Sequence, residues 1–177
     1  MSENINDINV GFGWESIFSG YSVYDFLKDS IFPSLISLGL SMAIYCICSS
    51  TLIILQTAVD ISLSILPSIL GLVVAGYVIL ISFYWSNIAS KIKEKKGGLN
   101  LLINLNSTFA ATVIFLIGSL VFSIVIKMII SLNILCNYAD AINGVGLFSL
   151  LYFVFFALFA LKDVIVNLYN VGQSSLK

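Results

Sequence analysis

The stretch "STFAATVIFLIGSLVFSIVIKMIISLNIL", Ser107 to Leu135, contains a single charged residue, Lys127, in a run otherwise made of apolar, hydroxylated and small side chains. It shows neither the strict alternation of a half-buried strand nor the polar stripe of an amphipathic surface helix. A lipid bilayer needs about 20 such residues to be crossed by one helix, and this run is long enough. Three further blocks have the same character: Ile31 to Leu55, Ile61 to Ser86, and Leu147 to Leu161, the last extending to Tyr169 if the Lys162-Asp163 pair sits at the water boundary. The sequence predicts an all-α integral membrane protein with four transmembrane helices, 31–55, 61–86, 107–135 and 147–169.

Composition agrees with that class. Of 177 residues 59% are hydrophobic and 10% charged, against about 25% charged in an ordinary soluble domain; mean hydropathy is +1.07. The segments between the blocks are too short to build a soluble catalytic or binding domain of their own.

Lys91, Lys93, Lys95 and Lys96 crowd into "SKIKEKKGG" between the second and third blocks, whereas the other two turns, "QTAVDIS" and "CNYADAING", hold no lysine. Lysine excess marks the cytoplasmic side, so loop 87–106 is expected to be cytoplasmic. An even number of spans then leaves both termini inside, with Lys28, Lys162 and Lys177 on the same face and 170–177 as a cytoplasmic tail. This orientation suits a bacterial inner membrane. Residues 1–30 are acidic and are not expected to be a cleavable signal. In "GFGWESIFSGYSVYDFLKD", Trp14, Phe18, Tyr21 and Phe26 suggest an N-terminal interfacial helix lying along the headgroups.

The inventory for catalysis is thin. There is no histidine, no arginine, and, with Asp163 taken to sit at the water boundary of the fourth span, no carboxylate in the membrane interior, so an enzyme is not expected and neither a metal site nor a cofactor is indicated. Cys46 and Cys48 point about 200° apart around a helix, and together with Cys136 they read as packing residues. The acceptor pattern at Asn106 to Thr108 falls on the expected cytoplasmic face and is set aside.

The polar residues within the spans carry the functional signal, because lipid-immersed helices associate by close packing and hydrogen bonding. Thr108, Thr112, Ser119, Ser123, Lys127 and Ser131 fall at steps of four or seven and share one face of the third helix. This face would line a pore in an oligomer, or form a helix-helix seam. Lys127 decides between them through its partner: water, Asp60, Asp140 or a lipid headgroup. On the second helix Ser68, Gly71 and Ala75, with Gly76 beside them, form a ridge suited to tight helix packing, and Pro67 either kinks the helix or marks its first turn.

The run "PSILGLVVAGYVIL", Pro67 to Leu80, resembles a segment of small prokaryotic membrane effectors from anti-phage loci, the Hailong-type channel effectors. The resemblance covers this segment alone. It implies an oligomeric channel that depolarises the inner membrane and is held closed by a nucleotide or short DNA made by a partner nucleotidyltransferase. Lys91, Lys93, Lys95 and Lys96 would then meet an anionic ligand, or otherwise anionic lipid. Besides lipid, the expected partners are further copies of the chain. Two other classes stay open: a non-transporting membrane adaptor or scaffold, and a small secondary transporter, which usually needs an intramembrane acid.

Overall fold

A computed structural model of the chain describes residues 23–47, 50–84, 90, 94, 97–132 and 139–176. Four helices organise them: α1 (Val23–Ile47), α2 (Thr51–Tyr84), α3 (Gly98–Ser131) and α4 (Ala139–Leu176). All four are long and apolar enough to cross a membrane.

The helix ends do not coincide with those of the apolar blocks, and the breaks between helices fall elsewhere than expected. The first break lies near residue 50 and not at "QTAVDIS", so Thr51 to Leu55 belong to α2, and Asp60 stands inside a helix where a turn was expected. Residues 98–106, expected in the loop, form the first turns of α3, launched by Gly97 at φ 79°, a left-handed conformation that costs glycine little. The third helix stops at Ser131, where the expected end was Leu135, and α4 already begins at Ala139. Residues 23–30, expected to belong to a separate interfacial segment, continue directly into α1. The physical reason is common to all four. A helix satisfies its own backbone hydrogen bonds and need not end where lipid ends, so an apolar block reports the lipid boundary and not the helix terminus. Pro67 accordingly lies in the interior of α2, where it removes one ladder bond.

α4 is the hub, packing on α1, α2 and α3. The core between α2, α3 and α4 is built at seven-residue spacing: Leu66, Val73 and Leu80 on α2, Leu102, Phe109 and Leu116 on α3, Ala157, Val164 and Val171 on α4. That spacing keeps a seam on one side of a gently supercoiled helix. Near the other end, Leu55 and Val59 meet Leu147 and Leu150. α1 joins through rings: Phe26 lies 5.0 Å from Phe156 and 6.0 Å from Phe115 (centroid distances), and Phe115 and Phe156 meet edge to face at 4.7 Å.

Charged side chains stand towards both ends of the bundle. Lys28 and Asp29 on α1 face Lys162 and Asp163 on α4 across an open cleft of about 340 Å³, floored by Phe32 and Phe159. Towards the opposite end Asp140 lies beside Thr51, and the Asp60–Lys127 pair is set deeper, nine residues along α2 from Thr51, about 13.5 Å at 1.5 Å rise. At 1.5 Å rise per residue, Asp140 to Lys162 along α4 is about 33 Å, close to the roughly 30 Å hydrocarbon core of a bilayer.

Candidate functional site

The hydroxylated face of α3 divides in two. Thr108, Thr112, Ser119 and Ser123 are buried, Thr112 and Ser123 completely. They lie in the seam between α3 and α4. Each donates to the carbonyl one turn back, Thr108 to Asn104, Thr112 to Thr108, Ser119 to Phe115 and Ser123 to Ser119, at 2.8 to 2.9 Å. Two of them also reach across: Thr112 Oγ1 lies 3.3 Å from the Ala160 carbonyl oxygen and Ser119 Oγ 2.8 Å from that of Phe153. Asn167 on α4 adds a bond to Thr108 Oγ1 at 3.0 Å. The step from 112 to 119 on α3 matches the step from 160 to 153 on α4, as an antiparallel pair requires. Within one chain this part of the face is sealed, and it lines no open path.

This packing makes a sharp stability prediction. Thr112→Leu adds volume where there is none and is expected to cost about 1–3 kcal/mol, measured as thermal unfolding in detergent. Ser131→Leu, at an exposed position, should change stability by less than about 0.5 kcal/mol. Equal effects at the two positions would show that the seam is not packed as described.

Lys127 and Ser131, the remaining members, are on the outside. Ser131 donates to the Lys127 carbonyl. Lys127 Nζ donates to Asp60 Oδ1 at 2.6 Å, with side-chain exposures of 42% and 59%. α3 ends only one turn beyond Lys127, about 6 Å at 1.5 Å rise, so the lysine sits nearer a helix end than a span reaching Leu135 would place it. Of the two carboxylates expected as partners, Asp60 is the one the lysine reaches. Asp140 is engaged elsewhere, accepting a bond from Thr51 Oγ1 at 3.4 Å. The sequence reading missed Asp60 as an intrahelical acid because Gln56 and Asp60 together resembled a turn. The signal against a turn was the seven-residue series Val59, Leu66, Val73 and Leu80, which runs straight through it.

The small-residue ridge of α2 does not make the tight contact inside the chain. Ser68, Gly71 and Ala75 are exposed, and a Cβ built on Gly71 meets nothing within 4 Å. Only Gly76 packs as expected, with the Phe109 ring 3.7 Å from the site of its missing Cβ. α2 instead meets its neighbours through Leu66, Val73 and Leu80, and Tyr77 donates to Asn106 Oδ1 at 2.9 Å. The reason is size. Large aliphatic side chains at seven-residue spacing fill the gap between α2 and two neighbours, which small ones could not.

On α1, Ser30 Oγ and Tyr152 Oη are 2.6 Å apart, while the buried hydroxyls of Ser37 and Ser41 have no hydrogen-bond partner among the described residues. Cys46 is an exposed free thiol. Lys91, Lys93, Lys95 and Lys96, like Trp14, Phe18, Tyr21, Cys48 and Cys136, lie outside the described residues. Among the described residues no group of three or more His, Cys, Asp or Glu side chains is placed to hold a metal ion. Comparison of the chain with protein-family models, curated proteins and solved structures finds no match.

Proposed function

We propose that the protein is the subunit of an oligomeric membrane channel whose conducting route runs between copies of the chain. The observation that carries this is the Asp60–Lys127 pair, half-exposed on the outside of the bundle within the length of two spans. Lipid solvates charge poorly, and intramembrane ionisable residues face protein or water rather than acyl chains. With the α3 hydroxyls sealed against α4, a polar route inside one protomer has no lining. A route between protomers has one in Asp60, Lys127 and the exposed hydroxyls of α2. Lys28 and Lys162 stand at the end of the bundle where α2 ends and α3 begins, the two helices that Lys91, Lys93, Lys95 and Lys96 separate in sequence, which supports a cytoplasmic placement of that end and of both termini. A nucleotide or short DNA, as the resemblance to channel effectors implies, would act there.

Expression at high level is expected to depolarise cells, and the purified chain to pass ions across liposomes. Ser64→Leu, which removes a hydroxyl from the exposed face of α2, should reduce the flux at least tenfold at equal membrane abundance. Intact potential in cells together with ion-tight liposomes at confirmed insertion would exclude the channel. The placement of Asp60 inside α2 favours one second reading, a small secondary transporter coupled through that carboxylate. It predicts flux that follows an imposed proton gradient and disappears in Asp60→Asn.

A further inference from the structure

The polar and small residues of α2 are on the wrong side for a helix packed into a lone bundle in lipid. At 100° per residue, Thr57, Asp60, Ser64, Ser68, Gly71 and Ala75 fall in a sector about 80° wide. All six are exposed. The centre of that sector lies roughly opposite the side that carries Leu66, Val73 and Leu80 into the core. Larger aliphatic side chains, Ile65 and Leu72 on one flank and Val74 on the other, stand exposed beside the ridge. A shallow groove of small side chains between ridges of large ones, on a membrane helix, is the shape that lets another helix backbone approach closely, and Gly71-x-x-x-Ala75 is the spacing such contacts use.

Charge points the same way. At one end of the groove Asp60 is ion-paired to Lys127 with both side chains half-exposed. The patch therefore carries one acid and one base. A two-fold axis along the membrane normal would set Asp60 of each copy beside Lys127 of the other, giving an alternating cluster of four charges. A self-complementary patch is what an isologous contact requires.

We propose that α2 docks on α2 of a second copy of this chain, with the helices touching at Ser68, Gly71 and Ala75 and the Asp60–Lys127 pairs of both copies joined at one end of the contact. The contact supplies the association between copies that the channel proposed above requires, and in that sense it rests on that channel. A helix of a different membrane protein seated in the same groove is the competing outcome.

The test is disulfide mapping of the full chain in native membranes, with Cys46, Cys48 and Cys136 replaced by Ala and single cysteines introduced by oxidation-ready substitutions. Ser68→Cys, Gly71→Cys and Ala75→Cys are expected to give disulfide-linked dimers at least tenfold more efficiently than Ile65→Cys and Val74→Cys on the flanks. Equal cross-linking at all five positions overturns the contact, as does a species of mixed mass showing another protein in place of the second copy. Gly71→Leu provides the second measurement. Because nothing lies within 4 Å of its Cβ position, the folded protomer tolerates the side chain, whereas a close α2–α2 approach does not. Single-molecule photobleaching in nanodiscs should show one-step traces predominating in Gly71→Leu and multi-step traces in the parent, with unchanged thermal unfolding. Multi-step traces retained in Gly71→Leu overturn the contact. Ion flux distinguishes the two proposals: dimers along α2 without flux keep the interface and remove the channel, while flux without α2 cross-links keeps the channel and removes the interface.

Discussion

Lys127→Ala is expected to be among the most damaging single substitutions in the chain, and Lys127→Ala combined with Asp60→Ala much less so. Among the described residues the lysine is the cation paired with Asp60, to which it is bonded at 2.6 Å, and its loss leaves an unpaired carboxylate within a helix apolar enough to cross a membrane. On insertion scales an uncompensated charge near the middle of a span costs about 2.5–3.5 kcal/mol. The pair lies closer to a helix end and is half-exposed in a single chain, so about 2–3 kcal/mol is expected for the single variant. Removing both partners takes away attraction and desolvation cost together, and such replacements are often neutral. The double variant should lie within about 1 kcal/mol of the parent. Thermal unfolding in nanodiscs, arranged as a double-mutant cycle, reads all four states. A cost below about 1 kcal/mol for Lys127→Ala is the behaviour of a solvated surface pair. It would place the two charges in a water-filled mouth instead of in a contact between copies.

Phe109→Ala is the second large expected effect. The ring is buried, packs into the space left by Gly76 and lies 5.8 Å from the Tyr77 ring by centroids. It is thus the one side chain of α3 that uses the small residue Gly76 to draw α2 close. Truncating a buried Phe leaves a cavity that helices held from both sides cannot collapse into, and costs about 3–5 kcal/mol. Gly76→Leu approaches the same contact from the other side and should also destabilise, since its added carbons point at the ring. Gly71→Leu, one and a half turns away on the open face, should leave the unfolding temperature of the protomer unchanged. If Gly71→Leu destabilised the isolated protomer as strongly as Gly76→Leu, the assignment of these two glycines to different faces would be lost.

The contrast between the two glycines also marks how far the sequence could be read. Both belong to one string of small residues, and nothing in "ILGLVVAGYVIL" distinguishes Gly71 from Gly76 except the angle each makes with the seven-residue series Leu66, Val73 and Leu80. The α3 hydroxyls were equally ambiguous. Thr112, Ser119 and Ser123 recur at spacings that serve a pore lining and a packing seam alike, and the carbonyls of Ala160 and Phe153 that receive two of them come from a helix separated from α3 by many residues.

What the sequence determined by itself was the apolar, all-helical character of the fold and the number of helices long and apolar enough to cross a membrane. Both follow from composition and block length, quantities that need no partner, because the cost of burying charge and backbone in lipid applies to each segment on its own. The tertiary structure alone decided where the helices end, which side of each faces inward, and that Lys127 answers to Asp60. Helix ends do not coincide with the ends of the apolar blocks, because a helix satisfies its backbone hydrogen bonds on either side of a lipid boundary and the sequence signal fades there. Facing and pairing depend on neighbours brought together from distant parts of the chain, and for Asp60 on a helix running through residues whose polarity resembled a turn.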